Sequence, residues 1–272
     1  MTIKMNKLSL IFVFLTSCCF GQQMSFIYEV SYRLNHKTPD DFTTKTMILD
    51  FVDKQSIFRE SMDWKSDSLK LNNGFPMLSS GFENQFYIKK DFSNHKISKI
   101  ITNGQFCYLL PIDETIQWKI SPEKKKIGIY NVQKAVATYG NREWTAWFSN
   151  DIPINEGPYI FSGLPGLIIS VTDFSGDYKF DLVQVKKSAS LFNARTKPIL
   201  IDWNKYGQLA KSYYDNPNAE MEQKIRNAKK AVMQDAHGNV IDIDFRQMNK
   251  EEQDNIRKNN NPIELNHKIE YK

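Results

Sequence analysis

The sequence predicts a mainly β protein of the α+β class: a curved, half-barrel-like antiparallel meander with C-terminal helices packed on or beside it. Three observations lead there. Residues 26–34 alternate, with Phe26, Tyr28, Val30, Tyr32 and Leu34 on one side and Glu29, Ser31 and Arg33 on the other, the period of a half-buried strand. Strong β runs follow one another through short turns such as Asn103-Gly104 and Gly140-Asn141, which favours hairpins over βαβ units. After about residue 190 the apolar spacing changes from strand-like to helical.

The elements follow in order. Residues 46–52 and 56–60 read as strands around a polar turn, and 86–90 as another. Residues 96–102 and 105–110 flank Asn103-Gly104, the strongest short hairpin signal in the chain. Residues 126–139 form one long β-type run, and Gly140-Asn141 turns it into 142–148. Residues 167–173 and 178–186 pair across the polar turn 174–177. Strands 22–190 thus form one antiparallel domain.

A helical appendage is expected over 191–248. Asp202 is placed to cap a helix with Trp203, Tyr206, Ala210 and Tyr213 on one stripe. Asn216-Pro217 starts a second helix, Met221, Ile225, Ala228 and Val232 recur at helical spacing, and Gly238 ends it. Its charged side (Glu220, Lys224, Arg226, Lys229, Lys230) reads as a solvated face. Residues 249–272 are polar and Asn-rich, and are expected to be a partly disordered tail.

The first 21 residues have the composition of a secretory signal. Lys4 and Lys7 precede an apolar core at 8–15 that is too short to span a bilayer. Two processing routes are open: cleavage after Gly21, or lipidation of Cys18, since Leu15-Thr16-Ser17-Cys18 has the look of a lipobox. Removing 1–21 lowers the formal charge from +5 to +3 and leaves 251 residues, the size of one large domain or a domain with an appendage. That charge is too small to argue for nucleic acid. Beyond the leader the sole cysteine is Cys107, in an apolar run, so no disulfide framework or thiolate cluster is expected and the thiol reads as buried and inert.

Gly163-Leu164-Pro165-Gly166-Leu167-Ile168 is the most distinctive segment. Pro165 and Gly166 suit the two central positions of a type II turn, Gly163 offers close backbone approach, and Leu167, Ile168, Ile169 and Val171 begin a strand. With its apolar flank at 157–161 the loop is expected to be a packed turn that fixes strand register. Other segments accompany it: Trp118-Lys119-Ile120, Ile127-Gly128-Ile129-Tyr130, Lys134-Ala135, the pattern of Gly140, Arg142, Trp144, Ala146, Trp147 and Phe148, then Asp151-Ile152-Pro153 and Gly157-Pro158. Together they resemble the GLPGLI family of exported bacterial proteins, most closely over 118–173. The resemblance implies ordinary export and carries no assigned activity. Asn141 is an insertion relative to that pattern, and Val132 stands where family members often carry cysteine, so any role for that thiol is absent here.

Catalytic and metal motifs are not found. His36, His95, His237 and His267 are isolated, no His-x-His or His-Glu-x-x-His occurs, and there is no Gly-x-Ser-x-Gly or phosphate loop. No metal and no cofactor are expected. Asp63-Trp64-Lys65-Ser66-Asp67 reads as a solvated polar loop. The candidate binding residues are Arg142, Trp147 and Asp151. On a strand, Arg142, Trp144, Ala146 and Phe148 share one face, and Glu143, Thr145 and Trp147 the other. Trp144 with Phe148 is then core, and Trp147 an outer-face or cleft aromatic.

Two readings of function follow. One is a non-catalytic periplasmic or outer-membrane-associated protein that binds an apolar ligand, a peptide or an outer-membrane transporter. The other is an envelope hydrolase using Arg142, Asp151 and Glu143, which requires those groups to converge. A plain scaffold, without a cavity of ligand size, is the third possibility.

Overall fold

The computed structural model describes residues 23–35, 37–74, 80–187, 191, 194–227 and 243–272. The leader, Cys18, His36, His237 and the helix expected beyond Asn227 lie outside the described residues. Strands β1 (Gln23–Tyr32), β2 (Thr43–Val52), β3 (Gln55–Glu60), β4 (Tyr87–Asp91), β5 (Lys96–Asn103) and β6 (Phe106–Ile112) form one meander. A second runs through β7 (Lys119–Ile127), β8 (Tyr130–Tyr139), β9 (Arg142–Ser149), β10 (Leu167–Asp173) and β11 (Tyr178–Lys186). Pairing of β1 with β11 fuses them, and the two-residue β12 (Ile199–Leu200) adds in parallel to β6. The sheet order is β12-β6-β5-β4-β3-β2-β1-β11-β10-β9-β8-β7, open at β12 and β7.

The sheet is strongly curved, as a single residue shows. Lys99 on β5 and Tyr139 on β8 both reach the carboxylate of Glu264, at 3.3 and 3.0 Å. They stand eight strands apart in the sheet, which in a flat sheet is roughly 38 Å at about 4.8 Å per strand. The sheet therefore wraps so that its two halves face each other across one core. Phe26, Tyr28, Val30, Phe58, Ile88 and Leu110 from one half meet Ala135, Trp144, Phe148 and Phe180 from the other.

Four elements differ from the sequence reading. The long run at 126–139 is a hairpin: Gly128, at φ +57°, opens a two-residue turn that pairs Ile127 with Tyr130. Its first strand, β7, starts back at Lys119 and has almost no apolar alternation to announce it. Asp63-Trp64-Lys65-Ser66-Asp67 is not a solvated loop but part of α1 (Ser61–Leu71), whose buried side is made of Ser66 and Asp67. Asp63 in its first turn and Lys70 in its last suit the helix dipole.

The C-terminal region differs most. α2 (Trp203–Asp215) is capped by Asp202, which accepts from the Lys205 N–H at 2.7 Å, and buries Tyr206, Ala210 and Tyr214. α3 (Ala219–Asn227) buries no residue: Lys224 and Arg226 are exposed as expected, but Met221 and Ile225, expected on an apolar stripe, are only half-buried. Residues 249–272, expected as a partly disordered tail, instead carry most of α4 (Phe245–Lys258) and a buried segment. Asp244 caps α4 by accepting from the N–H groups of Arg246 and Gln247. Beyond α4, Asn261, Ile263, Glu264 and Ile269 are buried against the sheet. Composition hid this because the few apolar residues of the segment, Ile263 and Ile269, are joined by polar anchors, Asn261 and Glu264, whose partners lie on distant strands.

Candidate functional site

The inner face of the curved sheet is where an apolar ligand would sit. Two irregular segments of the chain fill it. The first runs from residue 150 to 166 and carries Ile154, Glu156, Tyr159, Ile160, Phe161 and Leu164, all buried. Phe161 lies 4.6 Å from Trp144 and Tyr159 lies 6.0 Å from Phe86, ring to ring, so the loop bridges the two halves of the sheet. The indole of Trp118 donates to Ser162 O at 2.9 Å and ties the chain entering β7 to the same loop.

Buried charges register this segment. The Lys90 ammonium pairs with Glu156 and donates to Gly157 O at 3.0 Å, while Ser56 Oγ donates to the other Glu156 oxygen at 2.7 Å. Burial pushes the Lys90 pKa down, with Glu156 opposing the shift. The second segment uses the same device. Glu264 accepts from Tyr159 at 2.5 Å, Tyr139 at 3.0 Å and Lys99 at 3.3 Å. Burial alone would raise its pKa, but Lys99 and the two hydroxyls hold it below the ordinary carboxylate value.

The signature turn is tighter than the type II turn expected. The Gly166 N–H donates to Leu164 O at 2.8 Å, closing a γ-type turn around Pro165, and the Leu167 N–H goes to Ile152 O at 3.0 Å. Gly166 sits at φ +150°, and a Cβ there would lie 2.2 Å from Ser149 O. Close approach is therefore the role of Gly166. Gly163, expected to allow such approach, faces open space and serves through its φ of +91°. Pro158, Leu167 and Ile168 are buried, as is Gly157, while Pro165 is exposed.

The candidate binding residues are not brought together. Arg142 is buried on the inner face and bonds Asp173 at 2.8 Å, Asp177 at 3.2 Å, Asn261 Oδ1 at 2.5 Å and Pro262 O at 2.9 Å. Asp151 lies beyond the far end of β9, roughly 20 Å away along a strand, where it accepts from the Asn131 N–H at 3.2 Å. Glu143 points to the outer face and is exposed. The hydrolase constellation of Arg142, Asp151 and Glu143 does not form, because strand alternation and strand length separate all three.

Trp144 and Phe148 are core residues, each about 1% exposed. Trp147 is on the outer face but nearly covered: the Lys125 ammonium lies 3.8 Å above its ring and that of Lys134 lies 5.9 Å away. Lys134 also bonds Glu123 at 2.9 Å, and the neighbouring Ala135 packs against Ala146 on the inner face. Beside this stack is a groove of about 520 Å³ at the ends of β7, β8 and β9, edged by Lys124, Lys125, Lys126, Gln133 and Asp151.

With this geometry in place, comparison with known proteins adds a family similarity at one stretch and a likeness of fold over most of the chain. Residues 138–170 match a family model described as "Protein of unknown function (Porph_ging)", related to the GLPGLI family. That stretch holds the tryptophans of β9, the inner-face loop and the signature turn. No curated protein matches the chain. Two solved structures, of PNGF-II in the P21 and C2 space groups, are similar to it, with TM-scores of 0.50 and 0.51 and 18% and 17% identity. The match covers 70% of this chain and 33% and 32% of those, so the chain spans about a third of their length. At such identity the likeness is one of fold.

The outer face of β2 to β6 holds a second ion cluster that sequence reasoning missed. Arg59 bonds Asp50 and Asp67, each at 2.9 Å, and Tyr87 donates to Asp67 at 2.7 Å. Arg195 stacks 4.1 Å from the Tyr87 ring centre and bonds Asp63, Asp67 and Thr102. These groups bond one another and clamp α1 to the sheet. Cys107 lies nearby, half-buried, against Ile57, Tyr87 and Ile100. Burial pushes its thiol pKa up, which leaves it protonated and weakly nucleophilic at neutral pH. Among the described residues no three His, Cys, Asp or Glu side chains stand close enough to hold a metal ion. His267 stacks on Trp203 at 3.9 Å. No helix among the described residues is long and apolar enough to cross a membrane.

Proposed function

We propose that the protein is a non-catalytic interaction module of the cell envelope that engages a polypeptide partner through its exterior. One observation carries this reading: the concave face is filled by the chain itself. The residual internal cavity beside Glu264, between Phe86, Lys99, Tyr159 and Trp203, is about 30 Å³, room for a water molecule and far short of the roughly 300 Å³ of a small-molecule site. An apolar ligand therefore has no place in that cavity among the described residues. The envelope assignment rests on the leader-like composition of residues 1–21 and on the family resemblance.

The exterior offers what the interior lacks. β7 is exposed along most of its length, and the β7–β8 turn places Ile129 in solvent, 80% exposed. Ile120 and Val136 are exposed on the same hairpin. Exposed apolar groups among charges suit a polypeptide surface. Native mass spectrometry of the protein purified from its own cells tests the reading. A polypeptide partner without any lipid or small molecule is expected. A stoichiometric lipid or metabolite retained by the folded chain would overturn it.

A further inference from the structure

We propose that β7 is an open docking strand for an acidic, extended polypeptide segment, which adds to the sheet by backbone pairing along Lys124–Lys125–Lys126–Ile127. The inference rests on the exterior-binding reading above and names the partner's chemistry. Its first support is topological. Among the described residues β7 ends the sheet and has β8 as its one strand neighbour, so its outward N–H and C=O groups form a ready edge. β7 also buries almost nothing: seven of its nine residues are exposed, so it extends the sheet beyond the core instead of closing it.

The second support is charge. β7 holds Lys119, Lys124, Lys125 and Lys126 against the single acid Glu123, a formal +3 on one edge strand of a chain whose total is +5. Glu123 is itself engaged by Lys134. Lysine along an edge repels a second copy of the same strand, which guards against self-assembly. The same lysines attract a strand of opposite charge, so one device serves both exclusion and selection. The bulge between Ile120 and Lys124 confines regular pairing to the last four residues, the most basic part of the strand.

The third support is preorganisation. Lys125 is held over the Trp147 ring at 3.8 Å, and Lys134 flanks the same ring, so these side chains are partly ordered before a partner arrives. The groove of about 520 Å³ beside Lys124, Lys125 and Lys126 gives the partner's side chains a place to lie.

The test uses the full chain and a ten-residue peptide of alternating Glu and Thr. Calorimetry gives the affinity, and hydrogen exchange reads the β7 amides. Controls are the same peptide with two central prolines, which cannot pair as a strand, and phosphatidylglycerol vesicles. The alternating peptide is expected to bind, to slow exchange of the outward amides of Lys124 and Lys126 at least tenfold, and to weaken with added salt. The double variant K124E/K126E and the proline peptide should each bind at least tenfold more weakly, with the variant's unfolding midpoint unchanged. Equal binding by the proline peptide without amide protection would overturn the inference in favour of charge alone. Binding to the vesicles and not to the peptide would overturn it in favour of a lipid surface, and so would no peptide binding at millimolar concentration. A polypeptide partner in the native mass spectrum alongside any of these failures would sink the docking strand and leave the wider reading standing.

Discussion

The inner face and the β7 edge use lysine in opposite ways. Lys90 and Lys99 are 3% and 8% exposed, and each receives one glutamate from an irregular segment crossing the sheet. Lys124, Lys125 and Lys126 lie on a strand that is largely exposed among the described residues. A buried lysine needs its partner, so it dictates which segment lies where. An exposed one dictates nothing about the fold and remains available to another molecule. The comparison separates what the chain uses to complete itself from what it offers outward.

Breaking a buried pair should have the largest effect. Glu156→Ala leaves Lys90 in the core without its counter-ion, and a loss of about 3–5 kcal/mol is expected. Urea unfolding measures it; a loss below about 1 kcal/mol would mean that the pair does not hold the loop. Gly166→Ala comes next. Its methyl would meet Ser149 O at 2.2 Å, and displacing that backbone should cost about 1–3 kcal/mol by thermal unfolding. An unchanged midpoint would contradict the close packing of the signature turn.

A third effect appears with acid. Glu264 has a folded pKa below its unfolded value of about 4.3, so the stability it contributes is present above that value and lost as pH falls through the folded one. Glu264→Gln should flatten the fall in stability below about pH 4.5 relative to the parent protein. Burial moves Asp63 and Glu83 the other way, and Glu264 adds to the Glu83 shift, so the difference between the two proteins reads Glu264 together with that coupling. Parallel pH curves would show that the carboxylate is not the link. The smallest effect belongs to the edge: each of Lys124→Glu and Lys126→Glu should change stability by no more than about 0.5 kcal/mol. A larger loss would bring β7 into the core and erase the contrast.

Much of the sheet was legible because strand alternation and turn residues are local signals. Residues 26–34, the hairpin at Asn103-Gly104 and the turn at Gly140-Asn141 all stand close to their expected places. β7 was not legible, since a strand exposed on both sides has no alternation, and α1 was hidden because its buried side is polar. The inner-face ion pairs were beyond reach for another reason. Lys90 and Glu156 are 66 positions apart, and Lys99 and Glu264 are 165 apart, so no spacing rule connects them. Arg142 stood out in the sequence as a binding residue, but the structure gives it Asp173, Asp177 and the C-terminal segment as partners. Trp147 fell on the outer face that alternation assigned to it; its cover of two lysines came from a strand the sequence did not announce.

Hydrogen exchange on the full-length protein tests the central claim most directly, by comparing the signature loop with β7. The amides of Ile154, Glu156, Phe161, Leu167 and Ile168 all donate to backbone oxygens around the buried loop. They should exchange only with global unfolding, while the outward amides of β7 exchange orders of magnitude faster. A signature loop that exchanges as fast as β7 would contradict the account, because the inner face would then open and could admit a ligand.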